Sequence, residues 1–185
     1  MKEVEVRGFI SEDEYRSLIR LLEEEGVKIK EDRQITIYFS CDEDLRIQKN
    51  KDFAKIWLKK GKIHDDSREE IEIKFERNRF EELKNLFMAL GYDVEIKWYR
   101  KRHLFRWKDL KISVDHTVGY GHIVEVEELC QENEEDRAKE RVRRVLGELD
   151  VDETPREKFD EKFRHYRKRW KSILREKDFS DFEDL

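Results

Sequence analysis

The chain opens with the stretch KEVEVRGF, residues 2–9, in which valines alternate with charged residues. A period of two over this length predicts a β-strand with one apolar face and one charged face. The two valines lie on the apolar face, whereas Glu3, Glu5 and Arg7 share the other. For a single strand, the simplest interpretation is an antiparallel strand whose charged face lies in water. A functional interpretation needs other strands that repeat the pattern.

The composition is typical of a folded domain with an unusual density of charge. The 185 residues suit one domain, and 47% of them are charged, against about a quarter in an average protein. Aromatic residues make up 11% of the chain, which excludes a disordered polyelectrolyte. Lys and Arg number 41, and Asp and Glu number 46, so the formal net charge is −5. This mild acidic excess disfavours a general nucleic-acid-binding protein.

Cysteine usage and hydropathy predict a cytoplasmic protein. Cys41 and Cys130 form no CxxC pair, and two cysteines make no disulfide framework. The first residues are charged and contain no apolar signal core. No segment approaches the roughly 20 apolar residues of a membrane span. The five histidines are scattered and lack the spacing of a zinc site.

Further strands and several amphipathic helices follow the first strand. Strand composition bounded by polar turns occurs at 34–39, 45–48, 53–60, 68–75, 92–107 (as one strand or two), 110–115 and 122–129. A helix is predicted after Ser11, which forms a capping box with Glu14, and a second from about Arg79 to Gly91. Two more helices are predicted over 132–149 and 154–175.

Strands with one apolar and one charged face allow two architectures. In an open sheet, helices cover the apolar face and the charges lie in solvent, and alternation alone favours this arrangement. In a closed sheet with helices outside, the charged faces line an internal tunnel. Charges in such a tunnel must pair with one another, hold metal or meet a charged ligand.

The order of the charged motifs along the chain bears on this choice. The motifs are Glu3-x-Glu5-x-Arg7, Leu45-Arg46-Ile47, Lys59-Lys60-Gly61, Arg68-Glu69-Glu70-Ile71-Glu72, the basic run at 100–105, and Asp115 followed by Gly119-Tyr120-Gly121 and Glu125-Val126-Glu127. This succession over residues 2–129 resembles the CYTH family of triphosphate tunnel metalloenzymes. That family groups class IV adenylyl cyclases, thiamine triphosphatases and inorganic triphosphatases. Each motif alone is weak, and the ordered set carries the resemblance.

The resemblance implies an α+β fold built on a closed antiparallel β-barrel, a tunnel of about eight strands with helices packed outside. Residues 1–185 are then expected to form a single domain, with the motifs in 2–129. A helical C-terminal extension is expected at about 132–175, followed by an acidic tail at 176–185.

The resemblance also implies a cradle of cations for the triphosphate, because arginine grips phosphate through two parallel hydrogen bonds. The matching substrate-binding residues are Arg7, Arg46, Lys60, Arg68, Arg100 and Arg102, with Lys60 and Arg46 as the catalytic groups. Adjacency to Gly61 favours Lys60 over Lys59 as the family's lysine. The chain departs from the family pattern at Arg7, where lysine is usual, and at Gln48, where a second arginine is usual.

The cofactor that the resemblance implies is Mg²⁺ or Mn²⁺, bound by carboxylates. The matching metal-binding residues are Glu3, Glu5, Glu72, Asp115, Glu125 and Glu127. Residues two apart in a strand lie on one face about 7 Å apart, so each Glu-x-Glu motif presents a pair of carboxylates. Alternatively, some of these carboxylates pair with basic groups, which we expect for at least one of Glu70 and Glu72.

The first functional hypothesis is a metal-dependent hydrolase of a triphosphate substrate, either inorganic triphosphate or a small organic triphosphate. The first alternative is a class IV adenylyl cyclase, which converts ATP to cyclic AMP and pyrophosphate. A second alternative is a non-catalytic binder of polyphosphate or nucleotides. Gln48 is compatible with it, because the fold could persist after a phosphate contact and the activity are lost. The expected partner is a triphosphate-containing small molecule, with no membrane, nucleic acid disfavoured, and a monomer or homodimer. A module that binds RNA or protein through the basic last helix is also disfavoured, because runs of charge are usually solvated faces.

Overall fold

The computed structural model of the protein describes residues 2–59, 70–175, 177–183 and 185. Within these residues the chain forms eight strands and four α-helices. In chain order they are β1 (Lys2–Ile10), α1 (Glu12–Glu25), β2 (Val27–Phe39), β3 (Asp44–Lys49), β4 (Ala54–Lys59), β5 (Glu70–Phe75), α2 (Phe80–Ala89), β6 (Val94–Trp107), β7 (Leu110–Thr117), β8 (Gly121–Cys130), α3 (Glu135–Glu148) and α4 (Arg156–Arg175).

The strands form one sheet in the order β1-β8-β7-β6-β2-β3-β4-β5. The pairs β1–β8, β7–β8, β2–β3, β3–β4 and β4–β5 are antiparallel. The predicted α+β fold with about eight antiparallel strands is therefore confirmed. The described hydrogen-bonded series begins at β1 and ends at β5.

The chain divides into two compact units. Unit 1 contains residues 1–31 and 101–166, and unit 2 contains residues 32–100 and 167–185. The elements β2, β6 and α4 each contribute residues to both units. The expected single domain with a helical extension and an acidic tail stays a prediction.

In unit 1, helices α1 and α3 cover the apolar face of the strands. Leu18 and Leu22 from α1 join a core that also contains Val142 from α3 and Val6 from β1. The spacing of apolar residues along each helix turns one stripe toward the sheet, and each fully buried aliphatic side chain contributes about 1.5 to 3 kcal/mol. The predicted capping box is confirmed, because Ser11 and Glu14 exchange both hydrogen bonds.

The segment before α4 covers the outer edge of β1. The amide of Thr154 donates to the carbonyl of Arg7 at 3.0 Å, and the amide of Phe9 donates to the Thr154 hydroxyl at 2.9 Å. Between them, a Cβ on Gly8 would lie 2.5 Å from the carbonyl oxygen of Asp152. Glycine is required there because the two backbones approach so closely. Thr154 thus pairs with the strand, and α4 begins at Arg156.

In unit 2, helix α2 packs against β3, and the C-terminal segment packs on β6. The rings of Phe39 and Phe87 lie 4.9 Å apart, and Phe80 is almost fully buried. Tyr99 of β6 contacts the rings of Phe179 and Phe182 at 4.5 and 5.4 Å. No helix in the described part of the chain is both long enough and apolar enough to cross a membrane.

Strand β2 differs most from its predicted bounds. It begins at Val27, seven residues before the predicted start at 34. Val27 and Ile29 alternate with lysines, but they are 66% and 47% exposed. Because these apolar residues are exposed, their alternation does not distinguish a strand from a polar loop.

Candidate functional site

The charged face of unit 1 gathers carboxylates from three adjacent strands. In the β1–β8 register, Glu5 lies opposite Glu127 and Arg7 lies opposite Glu125. In the β7–β8 register, Ser113 lies opposite Glu125, which places Asp115, two residues further along β7, on the same face. We call Glu3, Glu5, Asp115, Glu125 and Glu127 the carboxylate face.

The apolar core holds this face in register. Val4 and Val6 of β1 and Val124 and Val126 of β8 are all buried on the opposite side of the sheet. A slip of one residue would bury the glutamates and expose the valines, so hydrophobic burial specifies which side the carboxylates occupy.

Crowding of like charges raises the pKa of Glu5 from 4.5 to about 7. The carboxylate of Glu125 is the largest cause, followed by burial of Glu5, and Glu3 and Glu127 add to the rise. Arg7 opposes it. Because the Glu5 side chain is still 40% exposed, repulsion from Glu125 is the main physical effect. The face therefore carries more negative charge than its own cations offset.

Two arginines lie on the same face. Arg102 of β6 grips Asp115 through two hydrogen bonds, with Nε 2.9 Å from Oδ1 and Nη2 2.7 Å from Oδ2. Its Nη2 also lies 3.9 Å from Oε1 of Glu125. Arg7 approaches Glu5 at 3.9 Å, and its guanidinium lies 4.7 Å from the ring centre of Phe159. The face thus combines anionic oxygens with fixed guanidinium donors.

Unit 2 has its own polar face, on which four side chains form a row across β2, β3, β4 and β5. The strand registers place Tyr38 opposite Arg46, Arg46 opposite Trp57, and Trp57 opposite Glu72. The guanidinium of Arg46 lies 4.3 Å from the ring centre of Tyr38 and 5.1 Å from that of Trp57. Asp44 accepts two hydrogen bonds from Arg46 at 2.5 Å. Arg46 is therefore held by one carboxylate and two rings.

Two lysines flank Trp57 along β4. The ammonium groups of Lys55 and Lys59 lie 4.0 and 4.5 Å from the indole ring centre. Lys55 also donates to Glu72 at 2.7 Å. Trp57 Nε1 is buried and has no hydrogen-bond partner among the residues that the structure describes.

Gln48, where the resemblance implies a second arginine, contacts the side chain that binds Arg100. Its amide donates to Thr36 at 3.0 Å and to Gln34 at 3.3 Å. The Gln34 oxygen in turn accepts from Nη2 of Arg100 at 2.8 Å. Gln48 thus helps to orient the amide that positions Arg100.

The predicted site residues divide between the two units. Unit 1 brings together Glu3, Glu5, Arg7, Arg102, Asp115, Glu125 and Glu127, and unit 2 contains Arg46, Glu72 and Arg100. Lys60 and Arg68 lie outside the described residues. Glu72 pairs with Lys55, as expected for at least one of Glu70 and Glu72. The roles of all these predicted site residues in metal and substrate binding stay predictions.

Sequence reasoning missed Lys55 and Trp57, and it placed Lys59 second to Lys60. The signal was present in the period of two along β4, which puts Lys55, Trp57 and Lys59 on one face. Lys111 was also missed, and it forms an ion pair with Glu127.

The carboxylate face fits a hard divalent cation by its chemistry. Within residues 2–59, 70–175, 177–183 and 185, no three His, Cys, Asp or Glu side chains form a preassembled metal site. Mg²⁺ usually keeps several waters and needs only one or two protein carboxylates. The oxygen donors of Glu5 and Glu125, whose repulsion raises the pKa of Glu5, match that requirement.

A family model for the CYTH domain matches residues 1–157. The chain belongs to the CYTH family. Members of this family are metal-dependent enzymes, adenylyl cyclases or triphosphatases, that bind triphosphate-containing substrates. The resemblance seen in the sequence is thereby confirmed.

Individual CYTH relatives extend over most of the chain. The Methanocaldococcus jannaschii protein named "Putative adenylate cyclase MJ0240" is 32% identical over 164 residues, which cover 82% of this chain and 91% of the relative. The structure of the PH1819 protein from Pyrococcus horikoshii OT3 matches with a TM-score of 0.67 and 25% identity, covering 83% and 93% of the two chains. A Hippeastrum structure, described as a "Putative adenylyl cyclase HpAC1" that reveals a dominant triphosphatase activity, has a TM-score of 0.60 and 18% identity, covering 82% and 89%.

Proposed function

We propose that this protein is a metal-dependent hydrolase of a triphosphate substrate, inorganic triphosphate or a small organic triphosphate. The observation that carries the proposal is the carboxylate face, where crowding by Glu125 raises the pKa of Glu5 to about 7. Such a surplus of negative charge calls for a cation, and Arg7 and Arg102 on the same face offer donors to phosphate oxygens.

In this proposal the glutamates of the carboxylate face would hold Mg²⁺ or Mn²⁺. Glu5 and Glu125 would be its main ligands, with Glu3 and Glu127 as further candidates. When bound, the metal would supply charge neutralisation at the phosphates and an activated water. Asp115 already directs both oxygens to Arg102, so it orients that arginine toward a phosphate rather than serving first as a ligand.

The cations of unit 2 bind phosphate oxygens. Arg46 and Arg100 are each held in place by a neutral or acidic partner, and Lys59 lies on the same face. Lys60 and Arg68 keep their predicted roles as substrate ligands. Hydrolysis then needs positioning and charge stabilisation above all. The water oxygen bonds to the terminal phosphorus and the anhydride bond breaks. The rest of the polyphosphate leaves with the bonding electrons, and the proton lost by the attacking water passes to bulk water.

Adenylyl cyclase activity is the second candidate, and the name of the M. jannaschii relative favours it. A cyclase would use the ribose 3′-hydroxyl to attack the α-phosphorus and would release pyrophosphate. The activity stated for the Hippeastrum protein favours the hydrolase instead. A non-catalytic binder would keep the fold and the cations and would lack turnover.

Product identification separates these functions. The protein is incubated with Mg²⁺ or Mn²⁺ and, separately, with inorganic triphosphate, thiamine triphosphate and ATP. We expect orthophosphate from at least one of these substrates. Cyclic AMP and pyrophosphate from ATP would establish the cyclase, and a rise in melting temperature without any product would establish the binder.

A double variant tests the metal ligands. Glu3→Gln with Glu5→Gln removes two charges from the carboxylate face and should abolish metal-dependent turnover while the protein stays folded. Glu24→Gln with Glu25→Gln removes two charges from the exposed side of α1 and should leave turnover intact. Equal activity in the two double variants would refute the metal assignment.

A further inference from the structure

Trp57 is a large aromatic residue surrounded by charged side chains on the polar face of unit 2. Its neighbours across the sheet are Arg46 on β3 and Glu72 on β5, and its neighbours along β4 on the same face are Lys55 and Lys59. An indole among charged side chains does not contribute to the apolar core, so its presence needs another physical reason.

Hydrogen bonds within the described part of the chain do not supply that reason. The Nε1–H group of Trp57 is buried and no described residue accepts a hydrogen bond from it. The described residues offer the ring a different set of contacts.

Those contacts are with cations. The charged groups of Lys55, Lys59 and Arg46 lie 4.0, 4.5 and 5.1 Å from the ring centre. Each such contact stabilises by roughly 0.5 to 2 kcal/mol, depending on exposure. Asp44 pairs with Arg46 and Glu72 pairs with Lys55, and the ring of Trp57 is the contact that all three cations share.

These three cations also occupy space next to the ring of Trp57. A nucleobase that stacks on a face of Trp57 occupied by a cation has to displace that cation. The next ring in the row, Tyr38, is covered by Arg46 at 4.3 Å and lies beside Trp98 at 6.3 Å. Both rings of the row, Tyr38 and Trp57, thus lie against cations.

We propose that Trp57 is a positioning residue that gathers Arg46, Lys55 and Lys59 into one phosphate-binding cluster, and that this cluster selects inorganic triphosphate over nucleoside triphosphates. The inference rests on the proposed function, since it names the substrate class of the same site. Inorganic triphosphate is favoured because Trp57 positions cations that bind phosphate, whereas it provides no stacking energy for the base of a nucleotide.

Substitutions at Trp57 test the positioning role. Trp57→Phe keeps an aromatic ring for the cations, whereas Trp57→Leu removes it. We expect KM for inorganic triphosphate to rise about threefold in Trp57→Phe and at least tenfold in Trp57→Leu, with kcat within threefold of the wild type in both. A merely structural role would lower the active fraction, and hence kcat, without this graded change in KM.

Trp170→Phe is the matched control. Trp170 also lies in unit 2, with Lys171 at 5.6 Å from its ring centre, but it belongs to α4 and has no place in the proposed site. Its substitution should leave KM and kcat unchanged. An unchanged KM in Trp57→Leu, or the same rise in Trp170→Phe, would overturn the positioning role.

The selectivity is tested on the wild type with inorganic triphosphate and ATP. We expect kcat/KM to be at least tenfold higher for inorganic triphosphate, and equal or better turnover of ATP would overturn the selection. Calorimetric binding of inorganic triphosphate in Mg²⁺ is measured in parallel for all variants. Binding without hydrolysis would refute the proposed hydrolase while still testing Trp57 through the affinities, and no binding at all would refute both.

Discussion

At the scale of single residues, Glu5 should make folding stability depend on pH. Its pKa is raised from 4.5 to about 7 in the folded protein, so the folded state binds this proton more tightly than the unfolded state. The associated stability is fully present below about pH 4.5 and is lost as the pH rises through about 7. Glu5→Gln mimics the protonated group, so in EDTA this variant should be more stable than the wild type at pH 8. The gain should be on the order of 1 kcal/mol, or roughly 2 to 4 °C in Tm.

The pH dependence of that difference is the decisive measurement. Urea unfolding at pH 5, 6, 7 and 8 should show the advantage of Glu5→Gln shrinking toward pH 5. Mg²⁺ at pH 8 should stabilise the wild type more than the variant, because the cation relieves the same repulsion. Glu24→Gln on α1 serves as the control for loss of one surface carboxylate. A constant difference across the pH range would show that Glu5 is not crowded by its neighbours.

Asp115 presents a different case, because its charge is already paired. Its side chain is 8% exposed and both of its oxygens accept from Arg102. Asp115→Asn leaves the guanidinium without its full counter-charge and should cost about 2 to 3 kcal/mol, measured by urea unfolding in EDTA. Asp13→Asn, on the exposed first turn of α1, should cost far less. Unchanged stability together with a higher Mg²⁺ requirement would instead make Asp115 a metal ligand.

At the scale of elements, the contact between β1 and the segment before α4 should depend on Gly8. A Cβ there would lie 2.5 Å from the Asp152 carbonyl oxygen and 2.6 Å from Cγ1 of Val151. Because both elements belong to the core of unit 1, Gly8→Ala should destabilise by about 2 to 3 kcal/mol, seen as a lower denaturation midpoint.

At Gly147, substitution of glycine by alanine is expected to raise folding stability rather than lower it. This glycine lies within α3, and apart from its chain neighbours and the nearby helix backbone, no described residue has an atom within 4 Å of the position that a Cβ would take. Gly147→Ala should therefore stabilise by about 0.5 to 1 kcal/mol through helix propensity. A loss in both variants would mean that the close approach at Gly8 is not the cause.

The strands and helices could be predicted largely because burial of one side makes apolar residues recur at a regular spacing, every second residue in a strand and every third or fourth in a helix. The alternation of Glu3, Val4, Glu5 and Val6 predicted both β1 and its two faces. Ser11 with Glu14 predicted the start of α1. The early part of β2 was missed because Val27 and Ile29 are exposed. At Thr154, a residue that is a good N-cap instead accepts from the Phe9 amide, which is a contact between residues 145 positions apart that no local pattern encodes.

The candidate site was predictable where a strand repeats its charges and unpredictable where a strand register decides. The Glu-x-Glu motifs predicted which side of each strand carries Glu5 and Glu125. The repulsion between these two carboxylates depends, however, on the pairing of β1 with β8. The row that joins Arg46 to Trp57 depends likewise on the register of β3 with β4. Residues brought together by pairing across strands carry no signature in a single sequence.

At the scale of the whole molecule, the crowded carboxylates and the cations around Trp57 belong to different units. The carboxylate face, with Arg7 and Arg102 on it, lies in unit 1, whereas Lys55, Lys59 and Arg46 gather around Trp57 in unit 2. A formal net charge of −5 on a chain that is 47% charged conceals this local separation. Metal binding and phosphate binding are therefore expected to depend on different residues.

Kinetics of one variant from each unit test that separation. Glu125→Gln should raise the Mg²⁺ concentration for half-maximal triphosphate hydrolysis at least tenfold, because a charged ligand becomes a neutral amide. Arg46→Lys should raise KM for triphosphate about tenfold with little change in the Mg²⁺ requirement, because lysine cannot make the paired hydrogen bonds of a guanidinium. In the double variant the two effects should multiply, as for residues without shared partners. A Mg²⁺ requirement that rises as much in Arg46→Lys as in Glu125→Gln would show that the two charge clusters do not act separately.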